Sequence, residues 1–500
     1  MKGKTELCQP APLLRIVPWL VAGILVEDAF ACNLGAGPLA ACVAATILLW
    51  RHPIGQSVGI GLCVLLTGML LTARQRTALT FEDSQDMQTL EAVATSEAVA
   101  RAKTVAIDLQ LVHNGRRVKA YLPKTTESLS LLPGDGLVVR TRIEPTDTLH
   151  LGTFGYGRYL LVNGFTGRCL VRQGNWHRQA VGSPAGSHWD RLRLRALRWR
   201  HHIVQRYLAM EGSNPHPEHT TSAVLTAMTL GEKSALTRDL RDVYATTGAS
   251  HVLALSGLHM GILFCLFTIL VPPGRRNLLT SLLTVVLFWS FALLTGLSTS
   301  VTRSALMLSA ATVFSLRSGQ RSTLNVLCLS ALLMLVVWPY ALFDVSFQLS
   351  FLSVFAILMV VPVLDSFWPR SFLQDHRGFR LLWSLVAVSL AAQAGTAPLV
   401  AHYFGRLPVY FLITNLVVIP CAYAILWLSL AYLFVPISLL GRALLLVGST
   451  MNSALTAIAA WPCASLSVHH PTAITTAMYY VIIVTLYIAV VRYRNIRVYI

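Results

Sequence analysis

Long runs of apolar residues, separated by short polar segments, dominate the sequence. A run of about 20 apolar residues is long enough to cross the hydrocarbon core of a bilayer as a helix. Three runs lie near the start and nine follow residue 250, over roughly 13–31, 37–50, 54–73, 251–271, 278–297, 299–316, 323–339, 343–364, 381–402, 409–435, 437–460 and 473–491. The pattern predicts an α-helical polytopic membrane protein with about 12 transmembrane helices.

The segment between the two groups of runs, about 74–215, is polar and cannot cross a membrane. It is long enough for a folded domain of its own. The pattern therefore predicts four parts. They are N-terminal transmembrane helices at 1–74, a domain outside the membrane at 75–180, a basic amphipathic helix at 181–215 and a transmembrane bundle at 216–500.

Charge and composition narrow the functional classes. Charged residues make up 12% of the chain, yet the net charge is +18, which is typical of a membrane protein and not of a soluble enzyme. The cysteines stand singly and form no CxxC pair, which favours buried apolar thiols over a metal or redox site. Gly231-Glu232-Lys233-Ser234 ends like a phosphate-binding loop, but Glu232 stands where the second glycine is needed, so no ATP site is predicted.

The distribution of lysine and arginine predicts the orientation, because short cytoplasmic loops carry an excess of both. If the C-terminus is cytoplasmic, the outer short loops of the second group of runs hold Arg406 alone. The inner loops and tail then hold Arg275, Arg276, Arg317, Arg321, Arg370, Arg377, Arg380, Arg442, Arg492, Arg494 and Arg497. Lys2, Lys4, Arg15 and Arg51 fall on the same inner side if three spans precede the polar domain. Both termini are therefore expected in the cytoplasm, with residues 75–180 outside it.

The polar domain has the alternation of short β-strands. Val105–Val112 and Val118–Leu122 flank an Asn114-Gly115 turn, which is a strong hairpin signal. A second turn at Pro133–Gly136 leads into Leu137–Ile143. About five strands within about 90 residues predict a small extracytoplasmic β-barrel of the OB-like type.

OB-like barrels often bind single strands through aromatic platforms and basic grooves. The residues predicted to bind DNA in this domain are Arg116, Arg117, Lys119, Tyr121, Arg140 and Arg142, and Phe154, Tyr156, Tyr159 and Phe165 are further candidates for base stacking. The alternative is that the aromatic residues form the core and the charges a solvated face.

The segment after the domain combines apolar and basic residues at helical spacing. One face carries Trp189, Leu192, Ala196, Trp199 and Ile203; another carries Arg191, Arg195, Arg198, His202 and Arg206, with Arg193 and Arg200 beside it. Trp and Arg on such a helix favour a position in the lipid interface. A ridge that steers phosphates is the alternative.

Polar residues also occur at membrane depth. On one continuous helix, His251, Ser256 and His259 would share one side, while Gly257 and Gly261 would form a packing surface on the other. Hydrogen bonding between helices is the simpler explanation of such residues.

Arg303 follows Thr295–Ser300, and a membrane-centred arginine costs about 2.5–3.5 kcal/mol on insertion scales, so it should face a partner or water. Asp344 and Gln348 share a helix face, and Asp344 is a candidate ion-pair partner for Arg303. Gln393, His402 and Asn415 add to these groups. So many polar residues within apolar runs indicate a hydrated path or site.

Several of these segments resemble the signatures of the ComEC family of competence proteins. His251–Gly261 resembles HxLAxSGLHxG, Phe343–Phe351 resembles FDxxFQLSF, and Gln393–Pro398 followed by Phe404-Gly405 resembles AQxxxxPL…FG. Gly296–Met307 resembles a further family segment, with Ser304 where alanine is usual. Gly152–Leu160 resembles the end of the family's outer domain, with Gly155 where aspartate is common. These segments follow the family order over nearly the whole chain.

The resemblance implies an inner-membrane channel that conducts single-stranded DNA into the cytoplasm during natural transformation. Many family members carry a C-terminal metallo-β-lactamase-like domain with an HxHxDH metal cluster, which this sequence lacks. A short form without that domain is therefore expected, with no cofactor. Its expected partners are single-stranded DNA, the membrane, an outer DNA receptor, a separate nuclease and cytoplasmic single-strand-binding proteins. The residues expected to line the DNA path are His251, Ser256, His259, Arg303, Asp344, Gln348 and Gln393.

Two other functions stay open from the residues. Ser256 beside His259, His251 or His402 could form the nucleophile and base of an intramembrane serine hydrolase. Alternatively, the bundle could transport another polyanion or a lipid precursor.

Overall fold

The computed structural model describes residues 12–80, 86–146, 149, 155–181, 188–211, 220–270, 278–317 and 323–494. The start of the Gly152–Leu160 segment, with Phe154, lies outside these ranges, as do Lys2, Lys4, Arg275, Arg276, Arg321 and Arg497. Two compact units are present: a mixed unit of Pro12–His201 and Ala331–Asp344, and a helical unit that contains His202–Ser330 and Val345–Ile500.

The mixed unit begins with three helices at the predicted positions: α1 (Leu13–Phe30), α2 (Gly37–Leu48) and α3 (Pro53–Leu79). Helices α1 and α3 pack in close contact, because a Cβ atom on Gly23 would lie 2.0 Å from the Leu65 carbonyl oxygen. Glycine at this position lets the two backbones touch.

A β-sheet with two short helices follows. Its strands are β1 (Gln88–Ala94), β2 (Val99–Ala100), β3 (Thr104–Leu111), β4 (Arg117–Pro123), β5 (Gly136–Thr141), β6 (Ile143–Pro145), β7 (Gly167–Leu170) and β8 (Trp176–Arg178). The helices are α4 (Thr126–Leu129), which precedes β5, and α5 (Tyr156–Val162), which precedes β7.

The sheet order is β6-β7-β4-β3-β1-β5-β8, and every pair along it is antiparallel except β4 with β7. Strand β6 lies at one end of this order and β5 near the other end. Along the chain, however, Arg142 alone separates the two strands, so they are nearly continuous. Alternate residues such as Val118, Ala120 and Leu122 on β4 point into the core. The Asn114-Gly115 hairpin is confirmed: it joins β3 to β4, with Gly115 at φ +68°.

Helix α6 (His188–Leu208) coincides with the predicted basic segment, and the division between the units falls within it. In its mixed-unit part, Arg193 is half-buried and Leu197 and Arg200 are buried. Leu192 and Trp199 are 44% and 57% exposed. The exposed apolar side chains therefore lie away from the residues that pack against the protein.

The helical unit continues with α7 (Thr220–Leu230), α8 (Arg238–Thr247), α9 (Ser250–Leu253), α10 (Gly257–Leu270), α11 (Leu278–Leu294), α12 (Thr299–Arg317) and α13 (Thr323–Val337), which also contains the unit division. It ends with α14 (Val345–Asp365), α15 (Arg370–Asp375), α16 (Arg377–Phe404), α17 (Phe411–Phe434), α18 (Ser438–Ala459) and α19 (Ala473–Tyr493). Strands β9 (Arg406–Pro408) and β10 (Ser465–Ser467) pair between α16 and α19. Buried residues of α7 and α8 join those of α17 and α18 in one core.

Six helices within the described ranges are long and apolar enough to cross a membrane: Pro53–Leu79, Val345–Asp365, Arg377–Phe404, Phe411–Phe434, Ser438–Ala459 and Ala473–Tyr493. Shorter apolar helices are Gly37–Leu48, Thr221–Leu230, Gly257–Phe267, Leu278–Leu294 and Thr323–Val337. The chain is thus a mostly helical membrane protein with a small sheet region, and the count of about 12 spans is not confirmed.

Candidate functional site

The segment with the predicted His251, Ser256 and His259 is a broken helix and not one continuous helix. Helix α9 ends at Leu253, Ala254 is extended with ψ 128°, and α10 begins at Gly257. The prediction that Gly261 packs against a neighbour is also wrong, since a Cβ atom there would meet nothing within 4 Å. The break places Ser256 at the N-terminal cap of α10.

Ser256 and His259 form a capping pair at the break. The backbone N–H of Ser256 donates to Nδ1 of His259 at 3.2 Å, and the Ser256 hydroxyl lies 3.2 Å from the same nitrogen. A side chain at the third helical position that accepts from the cap N–H is one half of a capping box, where glutamate or glutamine is usual. Because Nδ1 accepts the hydrogen bond from the Ser256 N–H, the neutral ring carries its proton on Nε2.

The Nε2 atom of His259 is a buried donor. The side chain is fully buried, and Nε2 has no hydrogen-bond partner within the described part of the chain. A buried donor without a partner costs about 1–3 kcal/mol. His251 lies on α9, where its Nδ1 is 3.0 Å from the Gly248 carbonyl oxygen.

Arg303 is held inside the helical unit. Its side chain is 1% exposed, and Nη2 donates to the Ser346 hydroxyl on α14 at 2.9 Å. The turn before its helix places Gly296 and Leu297 in the left-handed region, at φ 81° and 56°. A non-glycine residue at such an angle is strained, and strained residues concentrate at functional sites.

The other predicted path residues lie near the ends and middle of α14 and α16. Asp344 directly precedes α14 with ψ 119°; its predicted ion pair with Arg303 stays a prediction. The Tyr403 hydroxyl donates to Gln348 at 3.0 Å, which links α16 to α14. Gln393 is half-buried on α16.

Two residues beyond Gln393, a glycine sets the distance between α14 and α16. A Cβ atom on Gly395 would lie 2.5 Å from the Ala356 Cβ and 2.9 Å from the Leu352 carbonyl oxygen. The Tyr480 hydroxyl on α19 also donates to the Gly395 carbonyl oxygen at 2.9 Å. Sequence reasoning assigned no role to Gly395, although a glycine within a long apolar helix is the usual signal of close packing.

The predicted outer-domain residues divide into separate groups. Arg117, Lys119 and Tyr121 alternate along one face of β4. Lys119 forms an ion pair with Asp108 on β3, and Arg117 Nη2 lies 3.9 Å from the same carboxylate. On the neighbouring β7, Arg168 pairs with Glu144 at 2.6 Å. Arg168 and Lys119 therefore lie side by side on this face, and each has an acidic partner on its other neighbouring strand.

Helix α6 adds a further cation beside the β4 face. Burial, together with the nearby Arg117 guanidinium, lowers the pKa of Arg193. Arg200, on the same helix, lies 3.3 Å from the Glu97 carboxylate in the mixed unit. Basic residues of α6 thus pack against the domain as well as facing outwards.

Of the aromatic candidates, Phe165 is 6% exposed and packs with Leu149, Leu160 and Tyr156. Arg117 lies over its ring at 4.7 Å. Phe165 is therefore a core residue, and the prediction that it stacks on bases is wrong.

Tyr121 is engaged by another tyrosine. Its hydroxyl lies 2.5 Å from that of Tyr156, and burial followed by this hydrogen bond raises the pKa of Tyr156. Arg140 is exposed on β5, which β1 and β3 separate from β4, and Arg142 is exposed at the β5–β6 junction. Arg116 lies in the β3–β4 hairpin. The six predicted residues consequently do not form a single patch.

The structure brings together an ionic cluster in the mixed unit that sequence reasoning missed. Glu27 is fully buried on α1, and Arg76 near the end of α3 lies 3.7 Å from its carboxylate. Arg76 also donates to the Glu27 carbonyl oxygen at 2.9 Å and to the Tyr340 hydroxyl at 3.4 Å. The sequence did contain a signal for this pair, because Glu27 and Arg76 have opposite charges and lie near the ends of two predicted spans.

The same cluster extends to the sheet region. Arg158 on α5 donates to Asp28 at 2.8 Å and lies over the Phe343 ring at 4.5 Å. The Trp338 indole N–H donates to the Val162 carbonyl oxygen at 3.0 Å. The first helices, the sheet region and residues 338–343 are thereby tied together within one unit. No group of three or more metal-ligating side chains occurs in the described ranges.

Comparison with known proteins gives a family match and two relatives. A family described as Competence protein matches residues 228–493. ComE operon protein 3 of Bacillus subtilis (strain 168) is 27% identical over 279 residues, which cover 55% of this chain and 32% of that protein. An uncharacterized protein of Aquifex aeolicus (strain VF5) is 35% identical over 193 residues, covering 38% of this chain and 43% of that protein.

The chain thus spans less than half of the length of either relative. No solved structure matches it. The matched region contains the broken helix, Arg303 and the α14–α16 pair.

Proposed function

The chain belongs to the Competence protein family, and from this premise we propose that it is an inner-membrane channel for single-stranded DNA in natural transformation. Involvement in DNA uptake follows from the family. The observation that carries the channel proposal is the run of matched residues 228–493, which includes membrane-candidate helices with polar groups inside them. Polar groups at that depth are expensive unless they face a partner, water or a translocated ion.

We propose the full architecture of about 12 spans, with both termini in the cytoplasm and the sheet domain outside. The ionic cluster supports this arrangement, because it joins the ends of α1 and α3 to the sheet region and to residues 338–343. The strand order β1-β3-β4-β7-β6, with β5 and β6 nearly continuous, supports an OB-like barrel.

For the DNA path we propose His251, Ser256, His259, Arg303, Asp344, Gln348 and Gln393, and for outer-domain binding Arg116, Arg117, Lys119, Tyr121, Arg140 and Arg142. Within the second set, the exposure of Arg140 favours it as a phosphate contact over Lys119, which pairs with Asp108. We also propose that the exposed Leu192 and Trp199 of α6 rest in the lipid interface.

DNA entry needs further partners. The inside-negative potential opposes each entering phosphate by about 2.3 kcal/mol per 100 mV. We propose an outer DNA receptor, a separate nuclease for the strand that is not imported, and cytoplasmic single-strand-binding proteins that retain the strand which enters. The channel itself needs no cofactor in this scheme.

The decisive experiment compares cells with and without this chain, using fluorescent double-stranded DNA. Loss of the chain should block arrival of the label in the cytoplasm while DNA still accumulates outside the inner membrane. Labelled single strands in the cytoplasm of deletion cells would refute the channel. A reporter inserted after the exposed Asn114 should signal an extracytoplasmic position; a cytoplasmic signal would overturn the orientation.

The contact between Ser256 and His259 keeps an intramembrane serine hydrolase as the second candidate. In serine hydrolases the base is oriented by a partner on its other nitrogen, whereas Nε2 of His259 has no partner in the described structure. Covalent labelling of wild type but not Ser256→Ala by a fluorophosphonate would support the hydrolase. A transporter of another polyanion or a lipid precursor would move that substrate in liposomes and exclude oligonucleotides.

A further inference from the structure

Helix α10 begins inside the matched region with an open N-terminus. Its first N–H groups have no partners within the helix, and they carry the positive end of the helix dipole. Gly257, the first residue, is exposed, and a Cβ atom built there would approach the Ser304 hydroxyl at 3.4 Å and nothing nearer. The start of the helix is therefore accessible to a ligand that accepts hydrogen bonds.

A second observation at the same turn indicates an anion. The ring of His259 is held back over the first turn by the Ser256 N–H, and this contact leaves Nε2–H as a buried donor without a partner in the described residues. Nε2–H thus supplies a hydrogen-bond donor beside the N–H groups at the start of α10. A neutral imidazole that donates can bind an anion without itself being charged.

The neighbouring helix α12 lies close to this turn. Ser304, whose hydroxyl would lie 3.4 Å from a Cβ atom on Gly257, donates that hydroxyl to the Ser300 carbonyl oxygen at 3.1 Å. Arg303, the preceding residue on α12, carries a permanently charged guanidinium that donates to Ser346 on α14. Broken membrane helices whose N-termini face an anionic substrate group are a recurrent binding device in transporters.

We infer that the N-terminus of α10 is a binding site for phosphodiester oxygens of single-stranded DNA, with Gly257 N–H and His259 Nε2–H as its hydrogen-bond donors. The inference rests on the proposed channel function. The exposed Gly257 N–H makes the first contact. His259 is fully buried, so its Nε2–H can meet a phosphate only after the residues that cover it move.

Gly257 offers a matched pair of variants. Proline is tolerated at the first helical position but lacks the N–H, so Gly257→Pro removes the donor and keeps the helix start. Gly257→Ala keeps the N–H and is the control for the added side chain. We expect Gly257→Pro to lower oligonucleotide uptake about tenfold or more relative to Gly257→Ala.

His259 offers a second set that separates capping from ligand binding. His259→Gln keeps both an acceptor for the Ser256 N–H and a donor, whereas His259→Glu keeps the acceptor and repels an anion. If the ring only caps the helix, both variants should work equally. If it binds phosphate, uptake should persist in His259→Gln and fall at least about tenfold in His259→Glu.

The measurement uses the full chain in liposomes, with thermal stability recorded for each variant. The probes are fluorescent oligodeoxynucleotides with phosphodiester or uncharged methylphosphonate linkages. If the wild-type protein takes up neither probe, the channel itself is refuted. If the wild type takes up the probe, but Gly257→Pro equals Gly257→Ala and His259→Glu equals His259→Gln in uptake, the phosphate site alone is refuted. If His259→Glu lowers the thermal stability, the comparison of Gly257→Pro with Gly257→Ala decides whether the site binds phosphate.

Discussion

The guanidinium of Arg303 donates from Nη2 to the hydroxyl of Ser346, 2.9 Å away on a different helix. The hydroxyl is neutral, so this bond fixes the position of the side chain and does not itself neutralise the guanidinium. The guanidinium is ionised at every accessible pH. A passing polyanion would use its charge, whereas a structural role requires only the geometry.

Arg303→Ala should abolish DNA uptake while the protein still inserts, because it removes the charge. Arg303→Lys should rescue only partly, since an ammonium cannot make the forked contacts of a guanidinium. Transformation frequency and membrane protein level are the measurements. Ser346→Ala is the matched control: it removes the contact but not the charge, and we expect a much smaller loss.

The predicted pair with Asp344 can be tested by exchange. If Arg303 serves only as a partner of Asp344, combining Arg303→Asp with Asp344→Arg should restore uptake. If the cation acts on DNA, the exchange should stay inactive. Normal uptake by Arg303→Ala would remove this residue from the mechanism.

In the sheet domain, Arg140→Gln should weaken binding of a fluorescent oligonucleotide to the full protein in nanodiscs. Each lost phosphate contact should reduce the slope of log affinity against log salt by about 0.7. Lys119→Gln is the control with the same charge change, and it should leave the slope nearly unchanged because Asp108 already neutralises Lys119. If Lys119→Gln reduces the slope and Arg140→Gln does not, the DNA-binding face lies on β4.

The ionic cluster should matter for stability. Glu27→Gln or Arg76→Met leaves the other partner in a protein environment without its counter-charge, at a cost of about 1–3 kcal/mol. Thermal unfolding in detergent should show a lower midpoint for either variant. Arg15→Gln, on α1 outside the cluster, should not change it. A double variant, Glu27→Gln with Arg76→Met, should be less harmful than the sum of the single changes.

Burial raises the pKa of the Cys169 thiol to about 12, from an ordinary value of 9.0. The fold therefore favours the protonated thiol, and its contribution to stability is complete below pH 9 and lost as the pH rises toward 12. The stability advantage of wild type over Cys169→Ala should shrink across this interval. At pH 9, iodoacetamide should modify the exposed Cys32 and leave Cys169 unmodified; rapid labelling of Cys169 would contradict its burial.

The sequence predicted those elements whose signals are local. The Asn114-Gly115 turn between alternating strands and most long apolar runs appear where the pattern indicated. The buried helix α7 was missed, because a helix from Thr220 to Leu230 is shorter than a membrane span.

The details of the site depend on non-local or uncommon features. The break at Ala254 interrupts a run that reads as one helix, and its cap uses histidine where glutamate or glutamine is usual. Arg76 and Tyr340 are 264 positions apart along the chain, so no spacing rule could pair them. The ion pair of Lys119 with Asp108 likewise follows from strand register and not from composition.

The close approach at Gly395 has an evolutionary consequence. A Cβ atom at 395 would lie 2.5 Å from the Ala356 side chain and 2.9 Å from the Leu352 backbone, so a larger residue there requires the two helices to move apart. Glycine at 356 would relieve only the first of these contacts. Related chains should therefore keep glycine at 395 even where residue 356 varies among small side chains.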